Sequence, residues 1–134
     1  MKPFQLSRDM VNIRGQFYPT GHILAMFPSE ADASAAARDL RAAGLAEDAI
    51  SLITPEVMLR EVVGTVGHSD LLLPSAGTED DTVRRYAEYA SHGHHALLIH
   101  APRSDENDRV MRVLNAHQVS HAQKYRALVI EDLA

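Results

Sequence analysis

The chain contains no cysteine, and this excludes disulfide staples, thiolate metal centres and cysteine nucleophiles together. Basic clusters are also missing. Nowhere do more than two Lys or Arg residues stand side by side, and 13 basic residues face 18 acidic ones for a net charge of −5. Nucleic-acid binding requires phosphate neutralisation, so no nucleic-acid partner is expected. No apolar run approaches the ~20 residues that cross a bilayer, so no membrane partner is expected either. The opening stretch Met1-Lys2-Pro3-Phe4-Gln5-Leu6-Ser7-Arg8-Asp9 lacks the apolar core of a signal peptide, which points to a cytoplasmic location. Familiar catalytic loops are missing too. There is no Gly-x-Ser-x-Gly elbow, and Gly64-Thr65-Val66-Gly67 is not followed by the Lys-Ser/Thr of a phosphate loop.

What is present is a pattern written twice. Gly21-His22 opens the apolar run Ile23 to Phe27, a Pro-Ser turn follows, and a helical segment from Glu30 to Ala43 leads to a short strand from Ala49 to Ile53. Gly93-His94-His95 opens a second apolar run from Ala96 to Ala101. Pro102 and Ser104 turn the chain, Asp105 to Ala116 reads as a helix, and a strand is expected from Val119 to Tyr125. Both runs are apolar on both faces, as suits central strands covered on at least one side. Ser29 and Ser104 are the expected N-caps, with carboxylates in the first turn that favour the helix dipole. The face Ala33, Ala36, Ala37, Leu40 and Ala43 is mostly alanine, so that helix can lie close to a sheet. Gly44 and Gly93 suit helix C-termini, where a left-handed residue is wanted.

Between the repeats, Thr54-Pro55 starts a short helix through about Val63. Residues 64 to 77, with Leu71-Leu72-Leu73, form a flexible connection. A helix then begins at Thr78, with Val83, Tyr86, Ala87 and Ala90 as its buried stripe. Residues 1 to 20 read as an arm packed on the body or on a partner, and Leu128-Val129-Ile130 offers a further contact strand in the tail. A length of 134 residues fits one domain. The fold class expected is α+β: a ferredoxin-like sandwich from two βαβ units with an extra connecting helix. The alternative is a small flavodoxin-like parallel α/β sheet.

The stretch VRRYAEYASHGHHALLIHAP, from Val83 to Pro102, resembles small bacterial domains of the general stress protein type. So does the first unit, GHILAMFPSEADASAAARDLRAAGL, and the similarity extends over roughly residues 20 to 126. The resemblance implies a stress-linked soluble domain and brings no catalytic residues with it. Members with a glycine-rich hydrophobic hairpin between the halves imply a membrane-associated role. Here that region is only Gly64 to Gly77, so that role is not carried over.

Eight histidines are the compositional oddity, and four of them sit in His92-x-His94-His95-(x4)-His100. Imidazole binds Zn, Ni or Cu, which makes His92, His94 and His100 candidate ligands of a divalent metal. Against this, His94 and His95 point to opposite faces if both lie in a strand, and no carboxylate or cysteine completes a ligand spacing. Helix capping and solvation are the plainer explanation, and no cofactor is otherwise expected. The acid runs Glu79-Asp80-Asp81 and Asp105-Glu106 could suggest paired carboxylates, but first-turn capping accounts for both. Tyr86 and Tyr89 lie on a helix rather than on a strand platform. They are read as core and rim, with contact to a second copy of the chain as their functional role. The expected function is a non-enzymatic binding or interaction module, homo-oligomeric and stress-related. The alternatives are a small-ligand sensor with a pocket between the repeats or at a dimer interface, and a histidine-dependent metal-binding protein.

Overall fold

In a computed structural model, which describes residues 1–11, 16–65, 78–126 and 130–133, both apolar runs lie side by side at the centre of one sheet. The strands are β1 (Lys2–Pro3), β2 (His22–Phe27), β3 (Ile50–Ile53), β4 (His95–His100), β5 (His121–Tyr125) and β6 (Ile130–Asp132). Their spatial order is β1-β3-β4-β2-β5-β6. Among the described residues only β1 and β3 pair in parallel, and every other strand pair is antiparallel. The protein is therefore α+β with a mixed sheet. The antiparallel pairing of β2 with β4 and of β3 with β4 overturns the parallel-sheet alternative.

The repeats interlock rather than stand side by side. Helix α1 (Glu30–Ala42) joins β2 to β3, yet those two strands, parallel in direction, are separated by β4 of the second repeat. Helix α4 (Ser104–Leu114) likewise joins β4 to β5 across β2.

Alternation sorts each strand onto two covered faces, which is why β2 and β4 are apolar throughout. Ile23, Ala25, Phe27, Leu97 and Ile99 meet Ala33, Ala36, Ala37 and Leu40 of α1 and Val110 and Leu114 of α4. On the opposite face Leu24, Met26, Ala96 and Leu98 meet Tyr86 and Ala90 of α3 (Thr78–Ser91). Met58 and Val62 join them from a helical segment, α2, which opens at Pro55–Val57 and continues through a π-turn at Met58–Val62 and a tighter turn at Val63–Thr65. Phe4, Phe17 and Tyr18 of the amino-terminal arm complete that layer. Tyr125 takes edge-on contacts from Phe17 and Tyr18 at centroid separations of 5.8 and 5.1 Å. Each such pair contributes about 0.5–1.5 kcal/mol beyond burial. The arm thus packs on the body, and the Phe4 N–H donates to the Leu52 carbonyl alongside β1.

The caps differ between the repeats. Ser29 caps α1 as expected, its hydroxyl oxygen accepting the Asp32 N–H at 3.2 Å. Ser104 does not cap α4: it is the first helical residue, and Arg103 stands at the cap with its N–H donated to the Glu106 carboxylate at 3.1 Å. A glutamate three residues on satisfies the orphan N–H without a hydroxyl at the cap. Gly44 and Gly93 adopt φ of +105° and +83° after α1 and α3. Most of the connection expected at 64 to 77 lies outside the described residues.

Candidate functional site

Equal strand lengths set the geometry of the site. β2 and β4 each span six residues and pair antiparallel in full register, so the first residue of one faces the last residue of the other. That pair is His22 and His100, with ring centroids 4.8 Å apart and planes tilted by 48°. The His22 Nδ1 stands 3.1 Å from the Thr20 carbonyl oxygen. A carbonyl only accepts, so Nδ1 carries the proton and Nε2 keeps its lone pair.

The two rings form part of the wall of a cleft of about 670 Å³ at this end of the sheet. The turn between α1 and β3 contributes Asp48, the first half of α4 contributes Glu106 and Arg109, and the arm contributes Lys2 and Asp9. The arm reaches the cleft because β1 holds it along β3 and the Tyr18 N–H donates to the Met10 carbonyl at 2.7 Å. Residues from both repeats and from the arm therefore converge where neither sequence repeat alone places a site.

Burial is the largest influence on His22 and holds its pKa below the ordinary value of 6.5. The hydrogen bond to Thr20 opposes that shift, and the neighbouring His100 adds to it. Asp9 is held below the usual carboxylate range, first by the Ser7 hydroxyl that donates to it and then by its own backbone N–H. The Ser7 hydroxyl is thus committed to a carboxylate and not to an imidazole, and no serine–histidine nucleophile is assembled here.

The opposite end of the same strand pair also carries histidines, in a different arrangement. His94 Nδ1 lies 2.8 Å from the Ser120 hydroxyl, and the Tyr89 hydroxyl donates to the Ser120 carbonyl at 3.3 Å. Tyr89 stacks on the buried His121 ring at 5.8 Å and leans on His94 at 5.1 Å. Beneath them the Tyr86 hydroxyl reaches Gln123 at 2.9 Å and the Tyr125 hydroxyl at 2.7 Å.

The expected metal trio does not come together. His92 follows α3 with Nδ1 on the Glu88 carbonyl at 2.8 Å, while His94 precedes β4 and His100 ends it, six residues on and about 20 Å away at the usual strand rise. Among the described residues no group of three or more His, Asp or Glu side chains converges as a metal site. His94 and His95 do diverge: His94 faces Ser120, and His95 lies 3.9 Å from the Glu30 carboxylate on the α1 side. The Tyr86 ring, read as core and as an interface residue, is fully buried within the chain. Tyr89 is half-buried and bonded inward. No described helix is long and apolar enough to cross a membrane.

Sequence reasoning missed His22 as a site residue, along with Asp9, Asp48 and Arg109. A usable signal existed in the two equal runs, each with a histidine at one end, which antiparallel pairing brings face to face. No protein-family model, curated protein or solved structure matches this chain. Its functional reading therefore rests on its own residues.

Proposed function

We propose that this chain is a non-enzymatic binding module that takes a small polar molecule in the cleft between its two repeats. One observation carries the reading: the cleft gathers cations, carboxylates and imidazoles from three separate parts of the chain in a volume suited to a small ligand. Arg109 and Lys2 can meet an anionic group, Asp9 and Asp48 a cationic or hydroxyl-bearing one, and the His22 Nε2 lone pair can accept a hydrogen bond. The interleaved order β3-β4-β2-β5 supports a ferredoxin-like frame for this module. A stress-linked role is supported by the sequence resemblance of residues 20 to 126. Self-association through a sheet edge is poorly served, since β1 is two residues long and ends in Pro3, and β6 has three residues.

A thermal-shift screen of small polar metabolites tests the reading. A ligand present at about a hundredfold its Kd stabilises the protein by about 2.7 kcal/mol. Asp48 and Arg109 are both exposed, so Asp48→Asn and Arg109→Ala should change unliganded stability by no more than about 0.5 kcal/mol while abolishing the shift. A blank screen, or a hit indifferent to both substitutions, contradicts it.

A further inference from the structure

We propose that His22 and His100 together bind a divalent cation of borderline character, Zn²⁺, Ni²⁺ or Cu²⁺, on the wall of the cleft. The inference rests on reading the cleft as a binding site and names what its histidine pair is for.

Cross-strand register places the two imidazoles opposite each other on one face of the sheet. An imidazole nitrogen binds such an ion at about 2.0–2.1 Å, which puts the ion about 3.2 Å from each ring centroid. At coordination angles of about 90–109°, from square to tetrahedral, the two centroids then stand about 4.5–5.2 Å apart. The observed 4.8 Å lies inside that window. The other nitrogen of His22 is already used as metal-ligating histidines use it: Nδ1–H donates to the Thr20 backbone carbonyl, which fixes the tautomer and leaves Nε2 with its lone pair. His100 is solvent-exposed and His22 half-buried, so an ion has a route in from the cleft.

Two imidazoles fill two positions of a four-coordinate ion. His22, His100 and Asp9 line the same cleft, so solvent, the Asp9 carboxylate or an oxygen of a small ligand would complete the shell. An ion held this way would polarise or anchor a bound molecule and would couple metal occupancy to ligand affinity. Neutral imidazole ligands favour late first-row ions over Mg²⁺ and Ca²⁺, which take oxygen donors.

The test uses the full chain without a histidine tag, titrated by calorimetry with Zn²⁺, Ni²⁺ and Cu²⁺, and with Mg²⁺ as the contrast. One ion per chain is expected, with Cu²⁺ tightest and Mg²⁺ without effect. His22→Gln and His100→Gln should each weaken binding by at least about tenfold, the lower bound seen for losing even an outer-shell partner. A His92→Gln/His94→Gln double variant should bind as the wild type does. Circular dichroism confirms that each variant is folded, and because the two single variants alter different strands, both are read independently. Absence of binding by the wild type, binding that follows His92 and His94, or binding that survives both single substitutions would overturn the proposal. The metabolite screen is run with and without chelator. A ligand that still binds in the absence of any metal uptake sinks the cation and leaves the cleft reading intact, whereas metal uptake with a blank screen does the reverse.

Discussion

The two ends of the β2–β4 pair carry the same kind of residue in opposite circumstances. At one end the half-buried His94 and the buried His121 pack with Tyr89, and His94 Nδ1 meets the Ser120 hydroxyl, so these rings join α3 to the starts of β4 and β5 on either side of β2. At the other end His22 and His100 face each other on the wall of an open cleft, with charged residues of both signs around them. A histidine count cannot distinguish these ends; only the pairing register does. The lesson is that imidazoles committed to the fold mark structure, and those left facing a cleft mark a site.

The largest effect that sharpens this contrast belongs to the closed end. Tyr86→Ala removes a fully buried ring and two hydroxyl contacts, so a loss of about 3–5 kcal/mol is expected in urea unfolding. A loss below about 1 kcal/mol would mean that the layer formed by α3 is only loosely attached.

Next comes the turn that builds the cleft. Gly44 sits at φ +105°, a backbone region that side chains rarely adopt, although a Cβ there would find ordinary space 3.7 Å from the Arg109 guanidinium. Gly44→Ala should therefore cost about 1–2 kcal/mol through backbone conformation alone. The same substitution should weaken cleft binding by shifting Asp48. Equal stability of the two proteins would contradict the geometry of that turn.

His94→Ala should cost about 1 kcal/mol, the size of one hydrogen bond, while leaving cleft and metal binding unchanged. If it abolished binding, the two ends would have been assigned the wrong way round.

The smallest effect is a pH dependence. The folded-state pKa of His22 is depressed, so the unfolded chain takes up the proton first as pH falls below about 6.5. The stability His22 contributes is complete above that value. It declines below it and levels off once pH passes beneath the folded-state pKa. The stability difference between wild type and His22→Gln, measured by urea unfolding from pH 8 to pH 5, should shrink as pH falls. A difference that grows would show that the folded state favours the protonated ring.

Much of the fold was legible because it follows from local signals. Ser29 and Asp32, the alanine face of α1, the left-handed glycines 44 and 93, and two apolar runs placed most elements within one or two residues. The α4 cap was misread by one residue: Ser104 is the first helical residue, and Arg103 stands at the cap with its N–H donated to the Glu106 carboxylate. The site was hardly legible, because its parts lie far apart in sequence: Asp9, His22, Asp48, His100 and Arg109 meet only after β4 inserts between β2 and β3. The run His92 to His100 drew attention through density in sequence, yet β4 carries His100 about 20 Å from His94. Tyr86 was read as both core and contact; interleaving of the repeats, with α3 over the second face, resolves it as core.

The central claim, that the open end is the functional end, is tested most directly by imidazole nitrogen NMR on the wild-type chain during Zn²⁺ titration. The account predicts that the His22 and His100 signals move together, at one ion per chain, while those of His92 and His94 stay in place. Movement of His94 ahead of His22, or no movement of either ring of the pair, would contradict it.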